Sequence, residues 1–396
     1  MRIILCLLSI CFVNLSNGAP LGREGVSSFE LNEGELFYDG DSILTEEQLS
    51  AVEGSSRYIN RERATEIEWP SRSQRSVADA LRWPNDTINY FYPHHTDETI
   101  LKYMDTAFEY IESRTCINFI HNEEAPNLLR IIQDYKCASF VGFQNWRMQS
   151  LWFDSRCLAI GAAVHELMHA LGIVHEQSRF DRDEYLIVDE SVVPEREKLN
   201  FKYEYNSYIP TPFEYGSSMM YRYDAIAIGS MRPKNMDYKY TMGSYRTSFY
   251  DIIKINKLYE CEKKCTTQLE CKNGGYTNPA NCNVCNCPNG YEGALCDQLP
   301  AESRKHTANK SWEWDRVDFG DYSGNTLINP EYLYILCCEE ELHEPRIYKS
   351  KHNPTIISLY IFKGRSAVTY QYRYIDEDIS LGERTTNGYD SYEYYK

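Results

Sequence analysis

Beyond its first 18 residues this chain has no stretch apolar for long enough to cross a membrane. Positive charge is also in deficit. Against 58 Asp and Glu there are 41 Lys and Arg, a net charge of −17 at pH 7, which argues against nucleic acid or an anionic membrane as a partner. Histidine is scarce too, at nine in 396 residues. Three of those nine stand within eleven consecutive positions, in the run His165-Glu166-Leu167-Met168-His169-Ala170-Leu171-Gly172-Ile173-Val174-His175.

That run reads as a zinc site. His165 and His169 are four apart, so on a helix their imidazoles project from one face, one turn apart. Gly172 falls where the helix needs a left-handed terminator, and a chain turning back there brings His175 as a third nitrogen. Three neutral imidazoles leave one position of a tetrahedral metal open, the mark of a catalytic rather than a structural site. Glu166 stands beside the first ligand, positioned to take a proton from water. The string H-E-x-x-H-x-x-G-x-x-H is the metzincin protease motif. Roughly one or two chains per hundred of this composition contain H-E-x-x-H by chance, and requiring Gly172 and His175 lowers that about a thousandfold.

The start, with one basic residue, an apolar run from Ile3 to Val13 and small residues near Gly18, predicts a secretory signal peptide over 1–18 and hence a secreted, extracellular product. Two of the 14 cysteines, Cys6 and Cys11, lie in it, and the other 12 are an even number, as an oxidising compartment favours. Asn85 and Asn309 head glycosylation sequons. Residues 19–75 hold a third of the net negative charge, little apolar periodicity and no cysteine, which predicts a removable pro-region ending at the basic points Arg72 and Arg75.

From 76 to 262 the pattern is globular. Strands are expected at Thr87–Tyr92, Leu128–Ile132 and Met148–Phe153. A helix is expected over Thr96–Ser113, with Ile100, Met104, Ala107, Phe108 and Ile111 at helical spacing, and a zinc helix from about Leu158. Strands before and helices after predict an α+β catalytic unit. Six cysteines from Cys265 to Cys296 crowd into so short a span that staples rather than a hydrophobic core must hold it, disulfides in an exported chain, with zinc binding as the alternative. The last segment, 298–396, alternates over Tyr332–Leu336, Thr355–Phe362 and Ala367–Tyr374, as a β-sandwich would. Cys337 and Cys338 are adjacent there; a vicinal bond, pairing with another chain and free thiols all stay open.

These residues resemble the astacin family of zinc endopeptidases. The likeness rests on Glu176 directly after the third histidine, on the extension Glu176 to Asp183, and on Tyr215-Gly216-Ser217-Ser218-Met219-Met220-Tyr221, which looks like the family's Met-turn with Met220 where histidine is common. The resemblance implies one Zn2+ held by His165, His169 and His175, with Glu166 as general base and acid, Tyr221 as oxyanion donor and Met219 as the platform under the metal. It also implies the disulfides Cys116–Cys261 and Cys137–Cys157. Residues 263–297 are similar to an EGF-like module with Cys265–Cys282, Cys271–Cys285 and Cys287–Cys296, and 298–396 resemble a CUB domain. The partners implied are extended polypeptide substrates, lying along the strand Met148–Phe153, and extracellular proteins met through the two C-terminal modules. By the same resemblance Tyr38-Asp39-Gly40-Asp41 is a latency element in which Asp41 takes the water's place on zinc, an Asp-Gly turn being the alternative. Glu176 would contact the amino terminus freed by pro-region removal, the alternative being a solvated or Arg182-paired carboxylate. A catalytically inactive binding protein would be marked by loss of a ligand or of Glu166, and neither is lost.

Overall fold

The protein is described by a computed structural model, which covers residues 2–8, 36–38, 41–44, 82–154, 157, 159–203, 211–239, 241–244, 246–301, 313–322, 346–350 and 364–375. The chain divides into two compact units. The one that bears the site runs from Ser16 to Ala301 with Asn329–Leu336.

Its centre is a seven-stranded sheet. The strands are β2 (Leu36–Tyr38), β3 (Ser42–Leu44), β4 (Thr87–Phe91), β5 (Asn118–His121), β6 (Leu128–Gln133), β7 (Ala138–Phe140) and β8 (Met148–Phe153), in the spatial order β2-β3-β7-β8-β6-β4-β5. The sheet is mixed. β8, β6, β4 and β5 run parallel, while β7 is antiparallel to β8. The helix α1 (Glu98–Glu112) falls between two parallel strands instead of after them, so strands and helices interleave more than the sequence suggests. Asp97, one residue later than the expected Thr96, caps α1 by accepting from Thr99 N at 2.7 Å. The residues read as its apolar face, Ile100, Met104, Ala107, Phe108 and Ile111, are all buried.

The strand expected to carry substrate, β8, is hydrogen-bonded on both sides, by β6 and by β7. On the β7 side the pairing covers Leu151 and Trp152. β7 in turn is paired in parallel with β3.

The helix α2 (Ile160–Ala170) carries the first two histidines and stacks on α1 over the main core. Its end is a Schellman turn: Gly172 has φ of 100°, its N–H reaches His169 O at 2.8 Å, and Ile173 N reaches Met168 O at 2.9 Å. Two further terminal carbonyls are also satisfied. Trp83 Nε1 donates to Ala170 O at 2.8 Å, and the Tyr259 hydroxyl donates to Leu171 O at 3.1 Å.

The helix α3 (Phe249–Leu258) opens with a capping box between Ser248 and Asp251. A small module with a two-stranded ribbon, β11 (Tyr276–Thr277) and β12 (Cys285–Asn286), follows; earlier in the chain, β9 (Leu186–Val188) and β10 (Met231–Pro233) form a separate pair. All five implied disulfides form: Cys116–Cys261, Cys137–Cys157, Cys265–Cys282, Cys271–Cys285 and Cys287–Cys296. The module is bound to the helices by amide side chains. Asn278 Nδ2 donates to Ser113 O at 2.9 Å, Asn286 Nδ2 to Arg114 O at 2.8 Å, and Asn256 Nδ2 of α3 to the Tyr276 hydroxyl at 2.9 Å.

The second unit holds one antiparallel sheet among the described residues, in the order β13 (Glu313–Tyr322), β15 (Gly364–Ile375), β1 (Arg2–Leu8), β14 (Arg346–Ser350). The expected strand Ala367–Tyr374 falls within β15. Tyr332–Leu336, Thr355–Phe362, Cys337, Cys338 and Asn309 lie outside the described residues. Arg2–Leu8, read as part of a leader, is here a strand between β15 and β14; an apolar extended segment pairs readily with open sheet edges. Among the described residues no helix is long and apolar enough to cross a membrane.

Because Gly172 holds φ of 100°, where an L side chain is strained, Gly172→Ala is expected to destabilise the site-bearing unit by roughly 1–2 kcal/mol, read as a lowered urea midpoint.

Candidate metal centre

Three imidazoles converge on one point. His175 Nε2 lies 3.2 Å from His165 Nε2 and 3.2 Å from His169 Nε2. The opposite nitrogens fix the tautomers. His165 Nδ1 faces Ser218 O at 2.8 Å, and His169 Nδ1 faces Ile173 O at 2.8 Å. A carbonyl only accepts, so Nδ1 carries the proton in both rings and both Nε2 atoms present lone pairs. A cation at the point where the three nitrogens meet would be bound by both lone pairs. Tetrahedral Zn–N bonds of about 2.0–2.1 Å place ligand nitrogens roughly 3.3 Å apart, close to the spacing found. The donor set fits zinc.

All three rings are buried, at 6%, 0% and 0% exposure for His165, His169 and His175. Burial, aided by the neighbouring His175 and His165 and opposed by Asp41, pushes His169 down to about 3, so its imidazole is neutral and ready to ligate. The fourth member of the cluster is Asp41, 5% exposed. Its carboxylate stands 3.0 Å from His175 Nε2, 3.3 Å from His165 Nε2 and 3.6 Å from His169 Nε2. Glu166, 1% exposed, is the residue after His165 on α2.

The turn 215–221 closes the site from below. Met219 is fully buried in the main core, its carbonyl accepts from Glu176 N at 2.8 Å, and Tyr221 N donates to Gln177 Oε1 at 3.1 Å. Met220 and Tyr221 belong to a second apolar cluster with Leu186, Phe201 and Met242, so a thioether is at home at position 220. The Tyr221 ring lies 4.6 Å from that of His175.

Glu176 is buried at 2% exposure and is neither solvated nor paired with Arg182. Its carboxylate takes Lys254 Nζ at 2.7 Å, Arg179 NH1 at 2.9 Å and Glu214 N at 2.8 Å. Arg182 instead donates to Gln177 O at 2.9 Å. Buried charges persist only when paired and hydrogen-bonded, and Lys254 supplies the pairing from α3. Asn85, the first sequon, is exposed at the start of the catalytic region.

The residues that sequence reading missed are those of α3. The fully buried Asp251 carboxylate accepts from Ser217 Oγ at 2.5 Å, Ser218 N at 2.9 Å, Ser218 Oγ at 3.0 Å and Ser248 N at 2.9 Å. It thereby holds Ser218, whose carbonyl orients His165. The pattern Ser248-x-x-Asp251 is a capping-box signature readable from sequence, but nothing local says that it reaches the metal.

Comparison with known proteins decides the family. The family model for astacin, a peptidase family, matches residues 76–260. Zinc metalloproteinase nas-17 of Caenorhabditis elegans is 35% identical over 439 residues, spanning 98% of this chain and 98% of that protein. The chain belongs to the astacin family. Zinc metalloproteinase nas-16 of the same nematode is 35% identical over 76% of each chain. The solved high choriolytic enzyme 1 of Oryzias latipes aligns at 26% identity with a TM-score of 0.43, over 49% of this chain and 99% of that one. This astacin is a zinc-dependent hydrolase, a metallopeptidase, and the cluster of His165, His169, His175 and Asp41 is compatible with a zinc site.

Two outcomes follow from the charges around the site. Asp251→Asn should weaken zinc binding roughly 10- to 100-fold, as loss of a ligand-orienting partner does, measured by competition with a chromogenic chelator. Glu214 is pushed up to about 7 by burial and by Asp251, with Lys254 opposing. A carboxyl raised in the folded state costs nothing below its unfolded pKa, near 4.5, and destabilises increasingly as pH rises towards 7. Glu214→Gln should therefore stabilise the protein at pH 8 on the order of 3 kcal/mol at most and change it little at about pH 4, read by urea unfolding.

Proposed function

We propose that this astacin is an exported endopeptidase made as a zymogen, cleaving extended polypeptides in extracellular proteins. The observation that carries the reading is the place of Asp41: a carboxylate within 3.6 Å of all three imidazole Nε2 atoms, in the turn just before a strand paired to β7. That one segment would hold the metal alongside the three histidines through Asp41 and takes backbone donors a substrate would use, since Ser139 N donates to Asp41 O at 2.9 Å and Val141 N to Ile43 O at 3.2 Å. Removal of the pro-region at Arg72 or Arg75 frees both.

When bound, zinc supplies Lewis acidity, enough to bring water's pKa from about 15.7 to about 7. The rest belongs to the chain. Glu166 accepts the proton of the attacking water and returns it to the leaving amine. Tyr221, held beside His175, donates its hydroxyl to the oxygen on which charge develops. Met219 supports the histidines from the core. The freed edge of β7 binds the substrate backbone by strand addition. Glu176 already has two cationic partners, Lys254 and Arg179, so a newly freed amino group would join or displace an existing pairing there.

The leader over 1–18 directs export, and cleavage there removes β1 from the second unit. Asn85 and Asn309 carry glycans. Residues 263–297 act as an EGF-like module and 298–396 as a CUB-like domain, offering surfaces to extracellular protein partners.

Glu166→Gln in processed enzyme is expected to lower turnover by at least about 10²-fold while zinc content stays at one per chain. Asp41→Ala in the uncleaved chain is expected to raise activity on a quenched fluorescent peptide towards that of processed enzyme. An Asp41→Ala chain as inactive as its uncleaved parent would defeat the zymogen reading.

A further inference from the structure

The pro-segment touches the catalytic unit at a second place, and it is apolar. Ile43 lies inside β3, two residues beyond Asp41, which occupies the turn just before that strand. Asp41 turns into the histidine cluster. Ile43, 1% exposed, closes a small separate core with Ala138 and Trp152, at 0% and 7% exposure, and with half-buried Ile132 and Phe140. Phe140 stands at the end of the edge strand, its ring 5.9 Å from that of Trp152 and 5.1 Å, edge-on, from that of Trp146. Lys136 Nζ covers the Trp152 ring at 3.9 Å. Trp146 is 43% exposed, an apolar outlay at the rim that the fold itself does not explain.

We propose that the shelf formed by Ala138, Phe140, Trp146 and Trp152, which Ile43 fills, is the subsite by which the processed enzyme selects an apolar substrate side chain two or three residues from the scissile bond. The proposal rests on the zymogen reading above. Main-chain pairing to Ser139 and Val141 is blind to sequence, so strand addition alone gives no preference; side-chain pockets supply it. The shelf sits on the same strand as those donors, and its occupant is two residues along the chain from the one at the metal. Vacated, it leaves two indole rings and a phenyl ring lining one side of the cleft, and an aliphatic or aromatic side chain placed there recovers the burial that Ile43 now makes. A basic side chain would lose its hydration there without gaining an anionic partner and would meet the Lys136 ammonium over Trp152.

Two measurements test this on the processed protein. In the first, a labelled synthetic peptide of residues 36–46 is compared with its Ile43→Ala form by fluorescence anisotropy, with zinc present and after chelation. The Ile43→Ala peptide should bind about tenfold more weakly in both states; equal binding overturns the proposal. In the second, peptides differing only in Leu or Ala two and three residues from the cleaved bond are turned over by the parent enzyme and by Phe140→Ala. The parent should favour Leu at one position by about tenfold in kcat/KM, and Phe140→Ala should erase the preference. No preference in the parent, or an equal loss on every peptide, sinks it. Failure of the zymogen reading would look different: uncleaved chain as active as processed, whatever the two labelled peptides do.

Discussion

Three imidazole nitrogens directed at one point set the terms for this molecule. His165 and His169 face carbonyls through Nδ1 and so offer Nε2 as a lone pair, and His175 Nε2 lies 3.2 Å from each, an arrangement that suits a cation at the centre. The remainder of the site-bearing unit serves to keep them there. The Schellman turn after α2 sends the chain back so that His175 meets the two helical histidines. The turn 215–221 presents Ser218 O to His165, and the capping box of α3 fixes that turn by two serines and a backbone amide. None of these groups touches the metal, and each limits where a ligand can go.

Asp41 exploits the same arrangement. A carboxylate placed among the nitrogens gains from any cation there, and the adjoining strand β3 pairs with β7. Two weak devices, a three-residue strand pairing and one apolar side chain, are added to one strong one. Their sum is local, so severing the chain upstream of Trp83 leaves the catalytic framework untouched.

The zinc motif is legible in the sequence because its information is local: spacing of three and four residues on a helix, then a glycine whose conformation no other residue adopts cheaply. The apolar face of α1 and the strands β4, β6 and β8 are legible for the same reason, having long enough runs to show a period. The strands β3 and β7 are not, because three residues carry no pattern, and the substrate edge therefore reads as β8 until the pairing is seen. Nearness in sequence suggests Arg182 as a partner for Glu176. Its actual partners are Arg179, nearer still, and Lys254, 78 residues away. Asp251 is readable as a helix cap but not as the support of a distant metal ligand, since only the folded chain brings Ser218 between it and His165.

The end of α2 has one more implication. Its last carbonyls are claimed by parts of the chain remote from it: Ala170 O by the Trp83 indole, Leu171 O by the Tyr259 hydroxyl, which also accepts from Trp83 N at 3.3 Å. Trp83 therefore acts as a latch on the base of the metal-bearing helix. Shortening the chain past Trp83 would strip a buried oxygen of its donor, which sets a floor on how short a working polypeptide can be.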